Sequence, residues 1–197
     1  MLKAIIFDLN GVFLESEFLS DRFQKDHGVD SKEFIGALKE IMPVVRQPHA
    51  SDSYSLWKPY LDTWNVSLNE GEFFDYWFSG EKLVLELLDY VEGLREEGLK
   101  VFILSNNFRE RTEYYREHFP ELFKELDKAY FSWETGFIKP DEKAYGNVLE
   151  ENGLKGEECA YFDDSSKNVK VAKNLGIHAY GYEGFKATKE TIERLLK

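Results

Sequence analysis

A small set of residues in this sequence carries groups that could do chemistry together: Asp8, Ser105 with Asn106, Lys139, and Asp163 with Asp164. Asp8 ends the apolar run Ala4-Ile5-Ile6-Phe7, Ser105 ends Val101-Phe102-Ile103-Leu104, and Asp163 ends Ala160-Tyr161-Phe162. Lys139 follows a further run, Ala129-Tyr130-Phe131, by a short loop. Such runs read as strands buried on both faces. In a parallel α/β sheet their carboxyl ends meet along one edge, where ligands bind. A charge at such an end is both rigidly held and reachable. Taken alone, Asp8 reads equally well as a cap of the following turn. With the other strand ends it becomes part of a constellation. A carboxylate nucleophile, a hydroxyl with nearby N–H donors, a lysine and an acidic pair suit phosphoryl transfer through an aspartyl-phosphate. Three carboxylates in one crevice repel unless a divalent cation neutralises them, and an all-oxygen set suits Mg²⁺. The cation and Lys139 would draw in a small phosphorylated molecule.

The elements that must position these groups follow from patterning. Strand and helix alternate along most of the chain, which predicts a Rossmann-like α/β core with a parallel sheet and right-handed crossovers. Gly11 allows the tight turn after Asp8. Between about residues 15 and 80 the strands stop and amphipathic helices take over. Asp30 with Glu33 opens a helix bearing Phe34, Ile35, Leu38, Ile41 and Met42, with Pro43 after it. Residues 52–64 read as helical but contain Pro59, which predicts a kink or two short helices. Asn69 with Glu72 opens a third helix. This stretch reads as a small helical cap, 15–80, inserted after the first strand into a core formed by 1–14 and 81–197. Residues 82–94 form an amphipathic helix, Pro140 pre-sets the first turn of another, and 188–197 are a terminal helix.

Composition narrows the partners. The chain has 197 residues, 43% of them hydrophobic and 31% charged, which is enough to bury a sizeable core. A net charge of −12 argues against nucleic acid or an anionic membrane. The single cysteine, Cys159, excludes an internal disulfide and suits a reducing compartment, so the expected location is cytoplasmic. The N-terminal apolar run is too short for a membrane span or a signal peptide. Either a monomer or a homodimer fits.

Four motifs can be quoted: Phe7-Asp8-Leu9-Asn10-Gly11-Val12; Ile103-Leu104-Ser105-Asn106; Gly136-Phe137-Ile138-Lys139-Pro140-Asp141; and Tyr161-Phe162-Asp163-Asp164-Ser165 with Asn168, Val169, Ala172 and Gly176. Together they resemble the haloacid dehalogenase superfamily of hydrolases, most of them phosphatases. The helical insertion resembles that family's small cap, and the third and fourth motifs resemble the phosphatase domain of soluble epoxide hydrolases. The resemblance implies Asp8 as nucleophile and Mg²⁺ ligand. It implies the Asn10 carbonyl and Asp164 as further ligands, with Asp163 supporting through water. Ser105 and Asn106 would hold phosphoryl oxygens, and Lys139 would bridge nucleophile and phosphate. At a strand end Lys139 is expected to be partly solvated.

Position 10 departs from the pattern. The family's phosphatases usually carry aspartate there, as acid for the leaving group and base for water. Asn10 cannot trade a proton at neutral pH, and such a loss costs about 10²–10⁴-fold in rate. Three readings stand at this point: a substrate with a good leaving group, such as an acyl phosphate; a weakened or non-catalytic relative that binds phosphorylated ligands; or an introduced change that traps a bound state. A haloacid dehalogenase is a further enzymatic alternative, against which the retained Asp163-Asp164 pair argues. The histidines lack metal-ligand spacing. Arg46 and Lys58 are read as solvated surface charges, and Arg109 as a better placed cation behind the second motif.

Overall fold

β1 (Ala4–Phe7) is buried at every residue and forms the middle of a five-stranded sheet in the computed structural model, which describes residues 1–197. Beside it on one side runs β4 (Lys100–Ser105), followed outward by β5 (Lys128–Phe131). On the other side runs β6 (Cys159–Asp163), then β7 (His178–Gly181). All four pairings are parallel. Phe7 lies level with Ile103 and with Phe162, so Asp8 emerges beside Asp163 and one step from Ser105. The chain passes from β1 to β4 on one flank and returns to β6 on the other. That reversal opens a crevice at the carboxyl end of β1.

Alternation along β1 fixes the layers. Ile5 and Phe7 face α5 (Leu85–Glu96) and α11 (Phe185–Leu195), packing with Leu87, Val91 and Ile192. Ala4 and Ile6 face α9 (Glu142–Asn152) and α10 (Ser166–Asn174), packing with Tyr145, Val148 and Ala172. α6 (Arg109–His118), α7 (Pro120–Lys124) and the short α8 (Ser132–Thr135) complete the core's helices. No helix is long and apolar enough to cross a membrane.

Four helices leave and re-enter the core through one doorway. β2 (Leu14–Glu15) pairs antiparallel with β3 (Lys82–Leu83), laying the outgoing and returning chain side by side. Between them stand α1 (Leu19–His27), α2 (Ser31–Val45), α3 (Ser53–Thr63) and α4 (Glu70–Phe78). They enclose a second apolar core, in which Phe34 stacks on Trp57 at 5.2 Å and on Trp64 at 5.7 Å. The tryptophans of this segment and Phe78 are therefore packing groups. Asn69 and Glu72 form the reciprocal cap read from the sequence: the Glu72 N–H donates to Asn69 Oδ1 at 3.0 Å and the Asn69 N–H to Glu72 Oε2 at 2.8 Å.

The prolines behave differently from expectation. α2 runs through Pro43 to Val45, and α3 is one helix through Pro59. Buried neighbours beyond each proline, Val45 in α2 and Leu61 in α3, hold the helix together across the missing N–H bond. Pro140 precedes α9 rather than starting it; the cap is Asp141, whose carboxylate accepts from the Lys143 N–H at 2.9 Å. α1 and the β2–β3 pair lie where the sequence shows no clear period.

Candidate active site

The Asp8 N–H donates to the Phe162 carbonyl at 2.9 Å, so the ladder ends at the residue whose side chain enters the crevice. Asp8 Oδ1 accepts from the Leu9 N–H at 2.7 Å and from Lys139 Nζ at 3.0 Å. Both donors sit on one oxygen, leaving Oδ2 to a ligand. Lys139 Nζ also reaches Asp163 Oδ2 at 2.6 Å. The Lys139 side chain is only 2% exposed, against the expectation of a partly solvated lysine. The reason is that Lys139 sits between two carboxylates beneath the crevice floor rather than at its rim.

Asp163 is fully buried and receives donors on both oxygens. The Ser165 N–H reaches Oδ1 at 2.7 Å, Asn168 Nδ2 lies 3.0 Å from each oxygen, and the Tyr161 hydroxyl donates to Oδ2. Both of its oxygens are thus engaged by protein donors, Lys139 among them. Burial alone would push its carboxyl upward; the Lys139 cation and these hydrogen bonds prevail and hold it below the usual range. Asp8 goes the other way. Burial raises it, Lys139 opposes, and the Asp163 charge adds to the rise.

Asn106 carries a role the sequence does not announce. Its Nδ2 donates to the Lys139 carbonyl at 2.7 Å, and its Oδ1 accepts from the Lys139 N–H at 2.8 Å. The side chain clamps the lysine's main chain with one N–H and its oxygen, leaving the second Nδ2 hydrogen and the backbone for a ligand. Asn106→Ala breaks both bonds. We expect a loss of about 1–3 kcal/mol in unfolding free energy, with weakened phosphate binding, checked by urea denaturation and calorimetry. Unchanged phosphate affinity would show that the clamp does not set the position of Lys139. Ser105, ending β4, is buried beside this pair.

Asn10 is held at both ends. Its Nδ2 donates to the Tyr115 hydroxyl at 2.6 Å and its Oδ1 accepts from Asn107 Nδ2 at 3.1 Å. Asn107 is fixed in turn: Ser132 Oγ bonds its N–H at 3.1 Å and its carbonyl at 3.0 Å. Tyr115 is wholly buried, and the Arg111 guanidinium lies 5.6 Å from its ring centroid. Arg111 Nε donates to Glu81 Oε1 at 3.0 Å, tying α6 to the returning cap strand. Within α6, Arg111 and Tyr115 are four apart and share a face, while Asn107 lies before the helix and gave no signal of its own.

The oxygens of Asp8, Asp163 and Asp164 that could serve a metal all lie within 4.8 Å of one another. Gly11, at φ +83°, makes that approach possible. A Cβ there would stand 2.9 Å from Asp164 Oδ2. In the turn, the Leu9 carbonyl accepts from the N–H groups of Val12, Phe13 and Leu14, and the Asn10 carbonyl accepts from none of them. The clustered carboxylate oxygens are of a kind that suits a hard divalent cation. Burial, followed by the Asp163 charge, raises the Asp164 carboxyl.

Of the other cations, Lys58 is as expected and Arg109 and Arg46 are not. Lys58 is a surface residue paired with Asp62. Arg109 pairs with Glu110, its side chain 46% exposed. Arg46 is only partly solvated: it caps the C-terminal end of α2, and its Nε is sealed from solvent without a partner. Cys159 is buried in the core, which pushes its thiol up to about 12 and leaves it inert. A groove of about 500 Å³ along the cap's root is lined by Phe18, Arg22, Leu38, Trp77 and Arg111, and touches none of the strand-end groups.

Comparison with known proteins agrees with this architecture. The family model of haloacid dehalogenase-like hydrolases matches residues 2–176, and the chain belongs to that family. The GMP/IMP nucleotidase YrfG of Escherichia coli is 25% identical over 186 residues, 89% of this chain and 80% of that one. The D-ribitol-5-phosphate phosphatase of Bacteroides thetaiotaomicron is 29% identical over 102 residues, 49% of this chain and 48% of that one. A family enzyme from the same organism, solved with magnesium and inorganic phosphate, shares the fold at a TM-score of 0.74 and 21% identity, covering 93% of this chain and 95% of that one. The chain spans about half the length, or less, of several of the curated relatives it matches. It has the Rossmann-like core of that hydrolase family.

Proposed function

We propose that this hydrolase is a Mg²⁺-dependent phosphatase that works through an aspartyl-phosphate on Asp8, and that its substrate is a small phosphorylated molecule with a good leaving group. The observation that carries this reading is the buried Asp8–Lys139–Asp163 chain, which leaves Asp8 Oδ2 without a protein donor. Asp8, Asp164 and the Asn10 carbonyl would hold the cation, which supplies charge neutralisation at the phosphoryl group when bound.

Asp8 Oδ2 attacks phosphorus in line, the P–O bond to the leaving group breaks, and that oxygen departs with the electron pair. Lys139 holds Asp8 and balances charge. Water then attacks phosphorus, the Asp8–phosphate bond breaks with its electron pair returning to the Asp8 carboxylate, and phosphate leaves carrying both of the water's protons. Asn10 orients through its amide but moves no proton. An acyl phosphate, whose departing carboxylate is a weak base, suits this site best. The related nucleotidase and pentitol phosphate phosphatase support phosphate esters as the general substrate class. The test is phosphate release from a panel of phosphorylated metabolites, acyl phosphates included, with Mg²⁺ and with chelator. Release that needs Mg²⁺ and is fastest with acyl phosphates is expected; halide release from haloacids without metal would replace this reading.

The metal reading also predicts a pH dependence. Burial raises both Asp8 and Asp164. Without metal the native state therefore holds protons that the unfolded chain has already lost, so stability falls as pH rises from the ordinary carboxylate range through the raised one. Mg²⁺ competes with those protons and offsets the loss. The Mg²⁺-induced rise in Tm should be larger at about pH 8 than at about pH 5. A rise that is equal or larger at low pH would place the cation elsewhere.

A further inference from the structure

Asn10 is followed by Gly11, and the glycine is not free to change. A Cβ at position 11 would stand 2.9 Å from Asp164 Oδ2, and the backbone there sits at φ +83°. The close approach of the acidic residues thus demands glycine. With asparagine before it, this creates the dipeptide whose side-chain amide is most easily lost, because glycine leaves its own nitrogen unhindered. In that reaction the Gly11 nitrogen sheds its proton and attacks Asn10 Cγ. The new C–N bond closes a cyclic imide, the Cγ–Nδ2 bond breaks, and the amide nitrogen takes up a proton and leaves as ammonia. Water then opens the ring. Cleavage of the bond to Cγ gives aspartate at position 10, and cleavage of the bond to the main-chain carbonyl carbon gives isoaspartate.

The fold opposes the first step at three points. Asn10 Nδ2 donates to the Tyr115 hydroxyl at 2.6 Å, and Oδ1 accepts from Asn107 Nδ2 at 3.1 Å. The Gly11 N–H donates to the Leu14 carbonyl at 2.8 Å. Attack needs Cγ turned onto the Gly11 nitrogen, which the two side-chain bonds resist, and it needs that N–H released. The sense of the side-chain bonds is set from outside. The Phe108 N–H can only donate, and it holds Asn107 Oδ1 at 3.1 Å. Asn107 therefore turns its Nδ2 to Asn10, and Asn10 turns its own to Tyr115.

We propose that Asn10–Gly11 is a latent deamidation site and that Tyr115 and Asn107 are the brace that keeps it an amide. Release of the brace puts a carboxyl at the position that lacks one. What that carboxyl does in turnover rests on Asp8 being the nucleophile; the conversion itself does not.

An internal reference is at hand in Asn152-Gly153 at the end of α9, where Asn152 Nδ2 donates to the Tyr130 hydroxyl and the Val148 carbonyl, each at 2.8 Å. The parent, Tyr115→Phe and Asn107→Ala are incubated folded in mildly alkaline buffer, and the parent also in urea. Mass spectrometry follows conversion of amide to acid in the peptides containing Asn10 and Asn152. Conversion at Asn10 should be about tenfold faster in each folded variant than in the folded parent, and faster still in urea, while Asn152 in the variants keeps its parent rate. Asn10 converting as fast in the folded parent as in urea overturns the proposal. So do variants as slow as the parent, or Asn152 accelerating in step with Asn10. Conversion governed by the brace, with an aspartate fraction that phosphorylates Asp8 from an alkyl phosphate no faster than before, would uphold the site and overturn the acid–base reading of position 10. The two failures are therefore separable.

Discussion

Lys139→Met is expected to lower the free energy of unfolding by about 3–5 kcal/mol near neutral pH, and to slow phosphate release by about 10²–10³-fold. The substitution keeps most of the volume but removes the cation between Asp8 and Asp163, leaving two buried carboxylates facing each other. The effect depends on pH in a definite sense. In the parent, Asp163 is held low, so its contribution is present above the unfolded carboxylate value and is lost as pH falls through its folded value. In the variant both carboxyls are raised by burial and mutual repulsion. The native state then gains protons, and stability falls as pH rises through that raised range. Destabilisation should therefore be large at about pH 8 and smaller at about pH 5. Urea denaturation at the two values checks this; a variant as stable as the parent at the higher pH would mean that the buried pair is not charged as described.

Asn10→Asp is the second large effect. Its expected result is a gain of about 10²–10⁴-fold in the rate at which alkyl phosphates phosphorylate Asp8, with a much smaller gain in that step for acyl phosphates. The leaving alkoxide is a strong base and needs a proton; the leaving carboxylate does not. The change fits the local structure. Asn107 Nδ2 would still donate to one oxygen, and the Tyr115 hydroxyl can rotate to donate to the other. Burial pushes that hydroxyl well above its ordinary value, so it remains a donor. Single-turnover rates of Asp8 phosphorylation for one substrate of each class decide the matter. Equal effects on both, or a loss on restoring the carboxylate, would show that position 10 has no acid–base role here.

The site was legible in part, for a physical reason. A charge that ends an apolar run has nowhere to go but a sheet edge, so Asp8, Ser105, Asp163 and Asp164 could be placed together from one dimension. The run of helices between β2 and β3 was legible because aromatic periodicity changes and strands cease. What could not be read depends on contacts far apart in the chain. Asn10 meets Asn107 and Tyr115 across 97 and 105 positions. The clamp of Asn106 on Lys139 spans 33 positions, and nothing local distinguishes a clamping amide from a ligand-binding one. Arg46 was misread because its surroundings are set by how the cap seats on the core. Pro43 and Pro59 were misread because burial on the cap's inner face outweighs the cost of one missing N–H bond. The two-residue strands β2 and β3 are too short to show a period.

The most direct test of the account is mass spectrometry of the protein quenched during turnover of an acyl phosphate with Mg²⁺. Because Asn10 offers no base for the hydrolytic water, the phosphoenzyme should accumulate. The added phosphoryl group should map to the peptide containing Asp8 and be absent in Asp8→Asn. Phosphate on any other residue, or rapid phosphate release with Asp8 unmodified throughout, would contradict it.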